Sequence, residues 1–213
     1  MALTEEQLEM RRTGIGGSDI GAVCGFSPYR DWQAEDVYLS KVGPPVVRRE
    51  WRFYWGHEME SFLLRSAQDA PEWFTPAMPT LGVIAFPGTL RHREHAWCLA
   101  TPDGVTYPKE GPPILLECKT AAVKRAEGWG NAGTGDVPAH YACQALWTMA
   151  VLRSNDVPVK ETWFLVLFGS REPQRFVVPW VPEKAAWLLE QGERFWRENV
   201  LKRVPPTALK EVA

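Results

Sequence analysis

The sequence has 213 residues, of which 45% are hydrophobic and 23% are charged, and its formal net charge is −2. This size and composition are typical of a globular protein with a buried core, so we expect one domain over residues 1–213. No segment approaches the roughly 18 apolar residues of a membrane span, and residues 1–12 lack a secretion signal, which predicts a cytoplasmic protein without a membrane partner. The lack of a positive excess counts mildly against nucleic acid as a partner but does not exclude it, because basic residues can cluster locally.

The first half of the chain is predicted to be helical. Helices are expected over residues 4–12, about 18–24, about 31–41 and 52–69. Polar side chains at their starts predict the N-caps, which are Thr4, then Ser18 or Asp19, then Asp31. In the long fourth helix we predict that Phe62, Leu63, Ser66 and Ala67 face inward.

The second half of the chain is predicted to build a sheet. Strands are expected at about 79–86, 96–101, 103–107, 113–120, 162–168 and 174–180, with helices at 138–152 and 183–200. Residues 113–120 carry apolar side chains on both faces of the strand, which indicates a central position. This order of elements predicts an α/β (α+β) fold, with a central mixed sheet flanked by helices.

The four cysteines indicate structural rather than ligand-binding roles. Cys24, Cys98, Cys118 and Cys143 form no Cys-x-x-Cys pair, and each lies in an apolar segment. Small buried side chains are therefore expected, and disulfides or a zinc site are disfavoured.

Three charged side chains are predicted to meet on the central strand. Asp103 lies fourteen positions before Glu117, and the turn at 108–113 between them fits a hairpin that brings the two carboxylates together. Glu117 and Lys119 are two positions apart, so on a strand their side chains point to the same face. Charges in an apolar strand are costly to bury unless they are paired or bound to a metal ion.

These residue types suit metal-assisted hydrolysis of a phosphodiester. The two carboxylates are hard oxygen ligands for Mg²⁺, and the backbone carbonyl of Cys118 lies between them as a possible third ligand. Two ions can hold the attacking and leaving oxygens together, and Mn²⁺ is expected to substitute for Mg²⁺. Lys119 would orient the attacking water and offset charge on the phosphate. Taken alone, a Glu-x-Lys pair is also a common ion pair, so a purely structural role stays open at this point.

Four ordered motifs resemble the YqaJ-type viral recombinase nucleases, the family of phage lambda exonuclease within the PD-(D/E)xK nuclease superfamily. The resemblance extends from Arg11 to about Val200. Its first motif, at 11–19, has an Arg seven positions before a Ser. The resemblance implies that Arg11, rather than Arg12, and Ser18 bind DNA phosphate at the 5′ end.

The second motif, at 55–60, is Trp-Gly followed after three positions by Glu. It implies that Glu60 is an active-site acid near the metal ions. The choice between Glu58 and Glu60 stays open, because the two point about 200° apart on a helix. The family often has Asn where this sequence has His57, which is a modest departure.

The remaining motifs lie at 101–104 with 116–120, and at 137–144. The third contains Asp103, Glu117 and Lys119, which the resemblance places in a PD-(D/E)xK restriction-endonuclease-like core. The fourth implies that Gln144, on a helix beside the site, hydrogen-bonds the phosphate or the attacking water. His140 lies one turn earlier, and a structural role is the more usual one for such a histidine.

The resemblance implies a Mg²⁺-dependent 5′-to-3′ exonuclease on double-stranded DNA ends. Such enzymes leave 3′ single-stranded tails for a single-strand annealing protein in phage-type recombination, which predicts a phage or prophage gene in a bacterial host. The family also implies a ring-shaped homotrimer around DNA, in which only the lumen needs to be basic. Candidate lumen or groove residues are Arg48, Arg49, Arg52, Lys124 and Arg125.

Two other functions remain as alternatives. One is a structure-specific or restriction-type DNA endonuclease of the same fold, and the other is a non-catalytic DNA-binding module, which the presence of all three charged residues disfavours. The iron–sulfur variant of the fold needs a late group of cysteines, whereas the last cysteine here is Cys143. Among the eleven tryptophans, core positions are predicted for Trp147, Trp163 and Trp187, and Trp32 and Trp129 either pack or stack on a DNA end.

Overall fold

Helices dominate the first half of the chain and strands the second. The computed structural model describes residues 5–44, 51–121, 128–169 and 171–207, without the side chains of 5–8, 51–53 and 57. The helices are α1 (Glu5–Arg12), α2 (Gly17–Val23), α3 (Ala34–Val42), α4 (Trp51–Asp69), α5 (Ala139–Ser154) and α6 (Pro182–Phe195), which continues as a π-helical turn over Trp196–Leu201. The strands are β1 (Val83–Ala85), β2 (Leu90–Arg91), β3 (Leu99–Ala100), β4 (Gly104–Tyr107), β5 (Ile114–Ala121), β6 (Glu161–Phe168) and β7 (Gln174–Pro179).

A mixed sheet carries the fold, with its strands in the order β1-β4-β5-β6-β7. Strands β5 and β6 are parallel, and the other neighbours in this sheet are antiparallel. Helix α5 forms the crossover that a parallel pair requires. The predicted fold class and the central position of β5 are confirmed. Strands β2 and β3 form a separate antiparallel pair, of which the sequence predicted only β3.

Strand β5 is apolar on both faces because it is covered on both. Leu115 belongs to a core that includes Trp147 of α5 and Phe164 of β6. Leu116 belongs to a second core, which includes Leu63 of α4. The central strand therefore lies between two helical layers, and any charged side chain on it must find a partner.

Two predicted caps are wrong, for the same physical reason. Helix α3 is capped at Gln33 and not at Asp31, because the carboxylate of Asp36 accepts a hydrogen bond from the Gln33 N–H at 2.8 Å. Helix α2 likewise begins two or three residues earlier than predicted, with Gly16 at its N-cap. In both cases an acid in the first turn satisfies the backbone of the capping residue. Thr4 lies outside the described residues.

Two aromatic side chains are exposed where burial was predicted. Phe62 is 47% exposed and Trp187 is 43% exposed, whereas Trp147 and Trp163 are buried as expected. Helix α4 turns Leu63 and Ala67 inward, and Phe62 lies one 100° step from that face.

The cysteines are free thiols. Cys98, Cys118 and Cys143 are buried, as predicted, and Cys24 is half-buried. None of the helices in the described part of the chain is both long and apolar enough to cross a membrane.

Candidate active site

Strand β5 carries the two charged residues predicted for its inner face. The Nζ atom of Lys119 lies 2.9 Å from Oε2 of Glu117 and 3.9 Å from Oδ2 of Asp103. Asp103 directly precedes β4, and its Oδ2 accepts the backbone N–H of Cys118 at 2.7 Å. The hairpin therefore brings both carboxylates to one ammonium, as the sequence spacing predicted.

Helix α5 adds Gln144 to this group. Its Nε2 donates to Oε2 of Glu117 at 2.6 Å. Glu117 is fully buried, and its second oxygen, Oε1, has no hydrogen-bond partner among the described residues. A buried carboxylate oxygen without a partner loses its hydration without replacement, so this atom is the one that an added ligand would satisfy.

The aromatic rings of Tyr141 and Phe164 lie beneath the ammonium of Lys119 and form the floor of the site. The Nζ atom of Lys119 lies 5.6 Å from the centre of the Tyr141 ring and 5.8 Å from that of Phe164. These two rings pack against Trp129, whose ring centre is 5.3 Å from Tyr141 and 6.0 Å from Phe164. Trp129 is thus a packing residue of this floor, which is the first of the two roles considered for it. The rings and the carboxylates together hold the ammonium in place.

Burial and like charge shift the pKa values of the acids. Burial, with the charge of Asp103, raises the pKa of Glu117 to about 7 against the opposing charge of Lys119. Burial and the charge of Asp103 likewise raise the pKa of Glu60 to about 7. Burial acts to lower the pKa of Lys119, but Glu117 and Asp103 outweigh it and raise that pKa above its usual value.

The electrostatic coupling of Glu60 bears on the choice between two helix carboxylates. Glu60 is half-buried and lies within electrostatic reach of Asp103 and Lys119, whereas Glu58 is exposed. Its burial and its electrostatic interaction with Asp103 and Lys119 therefore favour Glu60 as the acid of the site.

The donor set is compatible with a hard cation. Asp103 and Glu117 supply carboxylates, and a strand residue directs its N–H and its C=O to the same neighbour, so the Cys118 carbonyl points toward the side where Asp103 lies. Within the described residues, no group of three or more His, Cys, Asp or Glu side chains could hold a metal ion. A cation at this site would therefore be bound by two carboxylates, one carbonyl and water, which suits Mg²⁺.

The candidate phosphate-binding residues lie at the end of α1 and in the first turn of α2. Arg11 ends α1 in its last turn, Ser18 is the second residue of α2, and both side chains are exposed. A Cβ atom added at Gly17 would lie 3.3 Å from Cγ of Gln144. The first residue of α2 therefore packs directly on Gln144, which donates to Glu117.

Two residues of this region were not predicted to act. Lys41 is buried and donates to Asp19 and to the Arg11 carbonyl; the available signal was a lysine four positions after Val37, on the buried face of α3. His140 is half-buried, and burial together with Lys119 lowers its pKa to about 4. Because of this low pKa the ring is neutral near neutral pH, and it packs edge-on against Tyr29 with 5.7 Å between the ring centres.

The basic residues predicted to line a DNA groove or ring lumen fall outside the described part of the chain. Arg48, Arg49, Lys124 and Arg125 lie outside the described residues, as does the side chain of Arg52. Trp32 is half-buried and packs against the larger core.

Known proteins share this sequence pattern and this fold. Residues 6–155 match the family model described as the YqaJ-like viral recombinase domain. The uncharacterized protein YqaJ of Bacillus subtilis (strain 168) is 24% identical in an alignment of 204 residues, which covers 92% of this chain and 56% of that protein. The chain thus spans about half the length of this curated relative.

Solved structures share the fold at low sequence identity. An alkaline exonuclease (LHK-Exo) from Laribacter hongkongensis matches 94% of both chains with a TM-score of 0.67 and 14% identity. Its complex with dAMP matches with a TM-score of 0.68 and 15% identity, over 94% of both chains. A SOX–DNA complex matches with a TM-score of 0.53 and 10% identity, over 92% of this chain and 67% of that one. The resemblance found in the four sequence motifs is confirmed, and the chain belongs to the YqaJ-like viral recombinase family.

Proposed function

We propose that this protein is a Mg²⁺-dependent nuclease that hydrolyses DNA phosphodiesters from duplex ends in the 5′-to-3′ direction. The observation that carries the proposal is the meeting of Asp103 and Glu117 at one buried ammonium, Lys119. Family membership and the fold shared with an alkaline exonuclease support it. So does the fold shared with a structure that contains dAMP, a nucleotide.

Each residue has a role that its position suits. Asp103, Glu117 and the Cys118 carbonyl would hold Mg²⁺, two ions per site, which would polarise the phosphate and lower the pKa of bound water. Lys119 keeps its proton, orients the attacking water and offsets charge on the scissile phosphate. Gln144 fixes the orientation of the Glu117 carboxylate through its hydrogen bond. Glu60 would add a third carboxylate, which interacts electrostatically with Asp103 and Lys119.

The proposal extends to assembly and partners. We propose a homotrimeric ring around the duplex, whose 3′ single-stranded product passes to a single-strand annealing protein in the cytoplasm of a bacterial host. A mass of three times 24.1 kDa by light scattering would support the ring. A monomeric mass at the concentration used for cleavage assays would contradict the trimeric ring and leave the proposed cleavage reaction unaffected.

The test of the chemistry is Lys119→Met, which keeps the apolar length that packs on Tyr141 and Phe164. Cleavage is expected to fall by about 100-fold or more, while affinity for a linear duplex, measured in chelator, changes little. Lys160→Met is the matched control, because Lys160 is exposed at the start of β6. Cleavage by Lys119→Met at the wild-type rate would overturn the role given to Lys119.

The mode of cleavage needs a second experiment. Linear duplexes with 5′-phosphate, 5′-hydroxyl or blocked ends are compared with a closed circular duplex. An exonuclease degrades open ends and leaves the circle intact. Cleavage of the circle would establish the endonuclease alternative, and duplex binding without any cleavage would establish a DNA-binding module.

A further inference from the structure

A buried ion pair lies beneath the loop that joins α1 to α2. Lys41 Nζ is 2.7 Å from Oδ2 of Asp19, and the two side chains are only 3% and 10% exposed. Burying an ammonium and a carboxylate is costly, and the cost is offset only when the pair has good geometry and further hydrogen bonds. Here Lys41 also donates to the backbone carbonyl of Arg11 at 2.9 Å.

The pair ties three separate segments together. Lys41 belongs to the last turn of α3, Asp19 to the first turn of α2, and Arg11 to the last turn of α1. The Oδ2 atom of Asp19 that binds Lys41 also accepts the N–H of Gly16 at 2.9 Å. One ammonium and one carboxylate oxygen thus fix the main chain on both sides of the loop.

The residues fixed in this way are the neighbours of both candidate phosphate ligands. Lys41 binds the carbonyl of Arg11 itself, and Asp19 is adjacent to Ser18. The side chains of Arg11 and Ser18 are exposed, so they are free to meet substrate while their backbones are held from beneath. The charge of Arg11 also reaches Asp19 and helps to keep that carboxylate ionised.

We propose that Lys41 is a positioning residue that presets Arg11 and Ser18 to recognise the terminal 5′-phosphate of a DNA duplex. This inference rests on the proposed nuclease function. Lys41 is buried and does not touch the DNA. It lowers the cost of ordering Arg11 and Ser18 when a terminal phosphate binds, which is how a preorganised site gains affinity.

A purely structural ion pair makes a different prediction. If Lys41 only stabilised the fold, its loss would lower activity on every DNA end in proportion to the fraction of unfolded protein. A positioning residue instead affects the substrate that carries a 5′-phosphate more than the one that ends in a 5′-hydroxyl. The ratio of kcat/KM on these two duplexes separates the two roles.

The test uses the double variant Lys41→Met/Asp19→Asn, because Lys41→Met alone leaves a buried carboxylate without its partner and can fail to fold. The amide oxygen introduced by Asp19→Asn can still accept from Gly16. Both substrates are linear duplexes of one sequence, with 5′-phosphate or 5′-hydroxyl ends, and melting temperatures are recorded in parallel. Lys202→Met is the matched control, since Lys202 pairs with Glu198 at the surface and is 59% exposed.

The wild-type protein is expected to prefer 5′-phosphate ends. In the double variant KM for these ends rises about tenfold, kcat changes little, and kcat/KM for 5′-hydroxyl ends stays near the wild-type value. An unchanged end preference in a folded variant, or an equal loss on both ends, would overturn the positioning role alone. A wild-type protein that cleaves neither duplex would remove the proposed function, and this role with it.

Discussion

The side-chain amide of Gln144 and the carboxylate of Glu117 are joined by a hydrogen bond of 2.6 Å that links helix α5 to strand β5. The same Oε2 atom accepts the ammonium of Lys119 at 2.9 Å. Two donors on one oxygen turn the other, Oε1, away from the protein's own donors. The orientation of this carboxylate is therefore set before any ligand arrives.

Gln144→Leu should lower kcat about tenfold with little change in KM, because Glu117 loses a donor worth about 1.5 kcal/mol. Steady-state kinetics on a linear duplex measure both constants. Gln68→Leu, at an exposed position on α4, is the control and should cleave as the wild type does. A rise in KM alone would show that Gln144 contacts substrate instead of orienting Glu117.

Cleavage should accelerate as pH rises through about 7, because Glu117 and Glu60 both have pKa values raised to about 7 and a cation needs the deprotonated carboxylate. Higher Mg²⁺ should move the midpoint to lower pH, since the ion competes with the proton. Single-turnover rates at several Mg²⁺ concentrations test this. If the pH midpoint of the cleavage rate did not change with Mg²⁺ concentration, the titrating group would lie outside the metal site.

Stability of the metal-free protein should show the opposite trend with pH. The folded-state pKa of Glu117 lies above its ordinary value of 4.5, so the folded state binds more protons than the unfolded state between that value and about 7. The resulting stabilisation is complete below 4.5 and is lost as pH rises through about 7. The melting temperature should fall by a few degrees over this range, and Glu117→Gln should flatten the trend. A Glu117→Gln profile as steep as that of the wild type would assign the trend to other groups.

Gly17→Ala should slow cleavage while Gly16→Ala should not. A Cβ at Gly17 would lie 3.0 Å from Oγ1 of Thr148 and 3.3 Å from Cγ of Gln144, so these side chains must move by a few tenths of an ångström. A Cβ at Gly16 meets its nearest atom at 3.5 Å, an ordinary contact. We expect a rate loss of about three- to tenfold for Gly17→Ala with a stability cost near 1 kcal/mol. Equal cleavage rates in the two variants would show that the packing of Gly17 on Gln144 does not affect cleavage.

Mg²⁺ or Mn²⁺ should support cleavage, and Ca²⁺ should suppress it. Two carboxylates, a carbonyl and water suit a small octahedral ion, whereas Ca²⁺ prefers more ligands at longer distances. Mg²⁺ should also raise the melting temperature, as any ligand of the folded state does. Undiminished cleavage in chelator would contradict the metal requirement.

The sequence predicted the charged residues of the site better than it predicted the residues that surround them. Side chains alternate between the two faces of a strand, which predicted that Glu117 and Lys119 share one face of β5. The length of the hairpin predicted that Asp103 lies beside them. Both predictions follow from local backbone geometry. Lys41 was missed because its importance comes from Asp19 and Arg11, which are distant in sequence.

Errors in the fold also came from contacts that local patterns do not encode. The two-residue strand β2 exists because it pairs with β3, and its own residues carry little signal. The exposed ring of Trp187 contacts Phe26, and nothing in the periodicity of α6 revealed that neighbour. The caps of α2 and α3 lie at Gly16 and Gln33 because Asp19 and Asp36, inside the helices, accept the backbone N–H of those residues.

The parallel pairing of β5 with β6 has a consequence for how the protein is made. Glu117 lies in register with Phe164 only after the whole crossover through α5 has been synthesised. A ribosome-bound chain that ended before Glu161 would carry both carboxylates but would expose one edge of β5 and lack a ring beneath Lys119. Such distant pairings form slowly. The strand pairing and the aromatic contact of Lys119 are therefore completed only after residues 161–168 have been synthesised.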